Sequence, residues 1–568
     1  MKRSAVMILA VLLFVTGFAC TGLNKNAPPP TSPPPAIAVP VGATLLEGMG
    51  AFRSSFATGK PETQRWFDQA LILTYGFNHD AAERSFLKAV EIDPDCAMCW
   101  WGAALVLGPH VNAAMDPANS GKAWMRVQKA LALASKASAK DQAFIRALSA
   151  RYADPSLGGP PADRKPLDEA YAAAMEQVVQ QFPDDLDAAT LYAEALMDLQ
   201  PWDYWDDRNG TTKGNIAEIV AALESVKTRN SDHIGALHLY IHAVEASRDP
   251  DRGAVAADRL RELVPGSGHL VHMPAHIYTR VGRYHDAVVA NQKAIASDDT
   301  YLATCRPAPG VYPLGYVPHN HHFLWWASTM EGASARALAA AEETAKRAWI
   351  PDMIKAPGFE FLQDFWVTPL KAKVQLGRWD EVVATAMPPE DMPYPVAVWH
   401  FAQGMAAVRQ ARLDAAGKHL DELVKGAANP VMEKMFVGPR HPLSYGLKIA
   451  ERVLTGELAA ARKDYQRAIA SLEMAVEMED GLPYFEPALW HHPVRQTLGA
   501  VLLKAKKSAA AENVYREDLK RNRENGWSLY GLAQSLKAQK KTKQAAKVEE
   551  QYKKAWQHAD ITLTASVL

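Results

Sequence analysis

Residues 268–287, GHLVHMPAHIYTRVGRYHDA, read as a helix, a tight Gly-Arg-Tyr turn and the start of a second helix, and they carry four histidines. His269, His272 and His276 fall three and four residues apart, the spacing that keeps side chains on one stripe of a helix. In IGALHLYIHAVEASRD, His238 and His242 stand 34 residues before His272 and His276, with Glu245 a turn further on. In PHNHHFLWWASTMEG, from Pro318, His319 and His322 repeat the spacing of His269 and His272. A lone helical histidine is usually a core residue satisfied by a backbone partner; seven of them in three similar stretches ask for a shared reason.

The 34-residue offset is a repeat period that reaches beyond the histidines. Residues 63–96, TQRWFDQALILTYGFNHDAAERSFLKAVEIDPDC, place Trp66, Ala70, Ala82, Phe86, Ala89 and Pro94 so that small residues fall where two helices cross. This resembles the tetratricopeptide repeat. The same template fits 234–267, 268–301, 318–351, 363–396, 397–430, 449–482 and 524–557, so the resemblance spans most of residues 60–558. It implies an all-α solenoid, a right-handed superhelix of helix pairs whose concave groove is lined by the first helix of each unit. In that family the second, fifth, ninth, twelfth and thirteenth residues of a unit face the groove. The resemblance therefore turns His269, His272, His276 and Arg280, then His238, His242 and Glu245, then His319 and His322 toward one groove. The stretches DPDCAMCWWGAAL, LHLYIHAVEAS and HLVHMPAHIYTRVGRY also look like a group of exported bacterial tetratricopeptide proteins, a likeness that supplies a fold and no reaction.

With 568 residues, 48% hydrophobic and 22% charged, the chain can bury a large core yet is too long for one compact globule, which agrees with a repeat architecture. A formal net charge of -1, without a basic run interleaved with aromatics, argues against a nucleic-acid partner.

The N-terminus, MKRSAVMILAVLLFVTGFAC, has a basic start and an apolar run too short to cross a bilayer, so residues 1–19 read as an export signal. Cys20 is similar to the lipidated cysteine of bacterial lipoproteins, with Gly17 where that family usually has Leu. Residues 20–42 are a proline-rich tether and the folded solenoid runs from 43 to 568. The expected location is the cell envelope or periplasm, with membrane attachment through the lipid anchor only. In that oxidising setting Cys96 and Cys99 read either as a local disulfide or redox pair or as plain structural cysteines between helices, which leaves Cys305 unpaired.

Histidine is a poor choice for a polar peptide groove because it is mostly neutral at pH 7, whereas neutral imidazole is the commonest side-chain ligand for Zn, Cu and Fe. His238, His242, Glu245, His269, His272, His276, His319 and His322 are thus the candidate ligands of a transition-metal site. Copper, zinc and iron are not separated by this set. The alternative is a metal-free scaffold that binds a peptide, a protein or a small-molecule substrate in the same groove. The segment 298–317, DDTYLATCRPAPGVYPLGYV, reads as a stiff loop at the groove mouth or as surface filler, and Tyr312, Tyr316, Arg280 and Trp326 are taken as groove residues. YFEPALWHHPVRQ, 484–496, with Glu486, Trp490, His491, His492 and Arg495, reads as packing at a repeat junction or as part of a site. No Walker loop, GxSxG elbow, HExxH or dinucleotide fingerprint is present, so the common enzyme classes drop out and no catalytic residue is assigned.

Overall fold

The computed structural model describes residues 42–56, 58–157, 163–207, 209–438 and 440–568. The export signal, Cys20 and nearly all of the tether lie outside the described residues. What is described is an all-helical solenoid of helical hairpins, interrupted among the described residues by one small antiparallel pair, Phe436–Gly438 with His441–Pro442. No described helix is long and apolar enough to cross a membrane.

The repeat is visible in the turns. The residue two places before the second helix of a hairpin takes a left-handed conformation at Phe77, Gly282, Gly332, Gly377, Ala411, Lys463, Lys506 and Lys540. A positive φ there reverses the chain within a few residues and lays the second helix back along the first. The hairpin Val494–Lys504 and Ser508–Arg521 has the same turn and fills the stretch between the 449–482 and 524–557 units. Small residues mark the helix crossings as the repeat requires. A Cβ on Gly102 would come within 2.2 Å of the Phe86 ring, so the second helix of the first hairpin seats directly on the next helix.

Two departures from regular hairpins shape the site. Pro274 has no N–H to donate, and the expected 268–281 helix divides into Gly268–His272 and Pro274–Arg280 with Met273 between them. The segment 298–317 is not a loop. Its first part completes the 22-residue helix Tyr284–Cys305, and after a short reversal at Arg306 a π turn, Tyr312–Tyr316, runs straight into the helix Val317–Met330. Asp298 explains why this end is helical and docked. Its carboxylate accepts from Tyr312 Oη at 2.8 Å and Asn320 Nδ2 at 2.7 Å, and it lies so close to Gly268 that a Cβ there would sit 1.9 Å from Oδ1.

Cys96 and Cys99 are joined in a disulfide at the start of the helix Ala97–Leu105, and Cys305 is free.

Candidate metal centre

The histidine stripe is carried by three first helices: Ile234–Glu245, the broken Gly268–Arg280 segment, and Val317–Met330. Their side chains gather into two triads. His238, His242 and His269 offer ring nitrogens that all lie within 4.8 Å of one another, and so do those of His272, His276 and His319. Five of the six are buried and His319 is half-buried.

Four of the six rings are fixed from their Nδ1 side. His238 Nδ1 donates to the Tyr75 carbonyl at 2.5 Å, His272 Nδ1 to Asn291 Oδ1 at 2.7 Å, and His242 and His276 Nδ1 to the two oxygens of Glu245 at 2.7 and 2.5 Å. Asn291 Nδ2 is itself occupied by the Ala287 carbonyl at 2.8 Å, so its oxygen is the acceptor toward His272. These bonds place the Nδ1 protons and turn Nε2 of His238, His242 and His272 inward as the acceptor nitrogen. Nε2 of His238 and of His242, and both ring nitrogens of His269, are buried without a hydrogen-bond partner. In the second triad Nε2 of His272 and of His276 face each other at 2.9 Å.

The electrostatics follow from this layout. Burial, and after it the neighbouring imidazoles, push His238, His269, His272 and His319 well below the ordinary histidine value, so these rings are neutral at pH 7. His242 is lowered by burial against the opposing pull of Glu245. Burial works to lower His276 as well, but Glu245 and then Glu486 hold it up to about 10. Burial would raise Glu245, yet His276 and His242 keep its carboxylate well below the usual range.

An aromatic collar surrounds the imidazoles. The Phe77 ring lies 4.5 Å from His238, Tyr316 4.4 Å from His269, Trp202 5.2 Å from His242, and Phe323 4.9 and 4.8 Å from His272 and His276. Tyr312, held by Asp298, receives the backbone N–H of His269 at 3.2 Å. Arg280 donates to the Ser247 carbonyl at 3.1 Å and lies 5.2 Å from the Tyr484 ring. Trp326 packs on Tyr284 and Phe323.

Three expectations need correction. His322 is not with the others: its ring packs on Trp325 and Phe365, and burial pushes it down to about 3. The imidazoles do not line an open groove: five of the six are buried, and Tyr75 and Phe77 of the first hairpin pack on the first triad. Nor is 484–496 only junction packing. Tyr484 Oη donates to Glu245 Oε2 at 3.0 Å, and Glu486 Oε2 lies 3.3 Å from His276 Nδ1, so a distant part of the chain reaches the centre. Burial, opposed by His276, raises Glu486. Glu245, His276 and Glu486 form a further close group, but both carboxylates sit on the Nδ1 side, away from the free lone pairs.

A separate cluster, His285, Glu331 and His558, lies nearer the surface, where Glu331 is taken up by Arg336.

No protein-family model matches the chain. No curated protein matches it either. Among solved structures, similar chains occur in the APC/C hetero-tetramer Cut9-Hcn1, with 13% identity over 90% of this chain and 79% of that one at a TM-score of 0.31. The human IFIT1 dimer with m7Gppp-AAAA gives 13% identity over 88% and 91% at 0.31, and yeast Tom70 gives 12% over 86% and 90% at 0.27. At these values the likenesses carry no functional argument, and the case for this chain rests on its own side chains.

Proposed function

We propose that the protein binds transition-metal ions, one in each three-imidazole set, at the centre of an exported helical-repeat scaffold. The observation that carries this reading is the facing pair His272 Nε2 and His276 Nε2. Both rings commit their Nδ1–H elsewhere, so the two Nε2 atoms can stand 2.9 Å apart only with a cation, a proton or a metal ion, between them. In the metal-free chain a proton on His276 serves; a metal ion with bonds of about 2.0–2.1 Å to each nitrogen replaces that proton. The orphaned Nε2 atoms of His238 and His242 support the same reading for the first triad, since buried polar atoms without a partner are rare and expensive.

Metal analysis tests it. Protein purified without chelator should carry Cu, Zn or Fe at close to stoichiometric amounts, and the variant with His272→Ala and His276→Ala should lose the second triad's share. Equal metal content in wild type and variant would leave a metal-free scaffold that holds a peptide or protein in its place.

The exported setting rests on the apolar segment that ends at Cys20 ahead of the proline-rich tether. Wild type should partition with membranes and Cys20→Ser should appear in the soluble fraction. A wild-type chain already fully soluble after export removes the anchor.

A further inference from the structure

We propose that the two triads form one dinuclear centre that holds a pair of copper ions and binds dioxygen between them. This rests on the metal-binding reading above and adds three statements: the ions are coupled, the metal is copper, and the exogenous ligand is a small diatomic molecule.

Coupling follows from spacing and from Glu245. Ring centroids within a triad are up to 6.2 Å apart, for His242 and His269, while across the boundary His242–His276 and His269–His272 are both 6.0 Å. The shortest gaps between the triads are therefore no wider than the gaps inside one, so the two sets adjoin closely enough to act as one two-metal site. Glu245 is fully buried and gives one oxygen to an imidazole of each triad. A shift of one ligand is passed to the other through a single carboxylate.

The donor set points to copper. Each triad offers three imidazole nitrogens with no thiolate, and the nearby carboxylates hold the Nδ1 side, which suits copper and zinc better than the mixed His and carboxylate sets of non-haem iron, and copper heads the affinity order for nitrogen ligands. Three neutral donors satisfy Cu(I) without further ligands. The position between the ions is the informative part. Two-metal sites that work on water or phosphate commonly use a protein carboxylate as bridge, but here both oxygens of Glu245 are spent on Nδ1–H groups and Glu486 lies on that same outer side. With no protein anion placed to bridge, and with the rings of Phe77, Phe323, Trp202 and Tyr316 around the imidazoles, the bridging ligand this setting favours is small and arrives uncharged.

Dioxygen meets that description, and the step balances. Each Cu(I) gives one electron and becomes Cu(II). The two electrons reduce O2 to peroxide, two copper–oxygen bonds form as the O–O bond order falls to one, and no proton or outside reductant is consumed. Release of O2 reverses the same electron count.

The full chain, stripped with chelator and loaded anaerobically with Cu(I), provides the test when oxygenated buffer is admitted. The expected result is two coppers per chain, one O2 taken up for each copper pair, an intense new near-ultraviolet charge-transfer band, and no Cu(II) paramagnetic resonance because the two spins couple. His238→Gln and His319→Gln, one from each triad, should each retain a single copper, take up no O2 reversibly and show a one-spin signal after oxidation, with circular dichroism unchanged. Two coppers with a two-spin signal, or a loaded wild type without O2 uptake, overturn the dinuclear proposal and leave metal binding intact. Copper bound by wild type no better than by the variant lacking His272 and His276 overturns the metal reading itself.

Discussion

Replacing Glu245 with leucine should strip metal from both triads at once, although no triad loses a nitrogen. Glu245 is fully buried, and its two oxygens hold the Nδ1–H of His242 at 2.7 Å and of His276 at 2.5 Å. Losing a group that orients an imidazole ligand typically costs about 10–100-fold in metal affinity, and here one substitution removes that group for a ligand of each set. It also strands two buried N–H donors, a penalty of about 1–3 kcal/mol each in stability. Glu245→Gln separates orientation from charge. Glutamine retains one acceptor oxygen and presents an NH2 to the other ring, so one triad should stay near wild-type affinity and the other fall. Competition against a chelator of known affinity, with equivalents counted per chain, reads both variants. A Glu245→Leu chain that holds wild-type metal at wild-type affinity would show that the carboxylate does not orient the ligands, and the coupling between triads would go with it.

The stripe His238, His242, His269, His272 and His276 was legible because a fixed period carries residues on first helices to equivalent places, whatever the details of side-chain packing. His322 shows where that logic stops. It follows His319 at the same spacing that separates His269 and His272, yet it packs on Trp325 and Phe365. The helix that carries both continues from the π turn Tyr312–Tyr316 rather than from a tight repeat turn, and it turns His319 to the triad while His322 faces away. A period read from sequence assumes that the connection before each helix is standard. The partners that fix the imidazoles were hidden for other reasons. Tyr75 acts through its carbonyl, which leaves no trace in residue type. Tyr484 reaches Glu245 across 239 positions, and a superhelix closes such contacts by its pitch, which no local pattern encodes. Asn291 sits on the second helix of the unit that carries His272, a face the groove rule leaves out.

Gly235→Ala should cost the protein one of its two metal ions and leave the other. On an ordinary helix the change would stabilise by up to about 1 kcal/mol, because alanine gives up less chain entropy than glycine. Here a Cβ at residue 235 would stand 2.6 Å from Tyr75 Cδ1 and 2.7 Å from Cε1, closer than side-chain atoms pack. The Tyr75 ring has nowhere to retreat: its hydroxyl donates to Asp187 at 2.7 Å inside the core. Forcing extra volume into such a contact typically costs about 1–3 kcal/mol, which exceeds the propensity gain and sets the sign as a net loss. The least costly relief is for the Ile234–Glu245 helix to move off the Pro61–Tyr75 helix, and that movement takes His238 away from the Tyr75 carbonyl. His238 then turns freely and the first triad keeps two held ligands in place of three. His272 rests on Asn291 and His276 on Glu245, so the second triad is left as it was. Metal equivalents should fall from two toward one, with a lower denaturation midpoint, while His272→Ala in the same background removes the remaining ion. Two equivalents retained together with unchanged or higher stability would mean that the close approach at Gly235 does not position His238, and that the first triad is held by something other than the Tyr75 carbonyl.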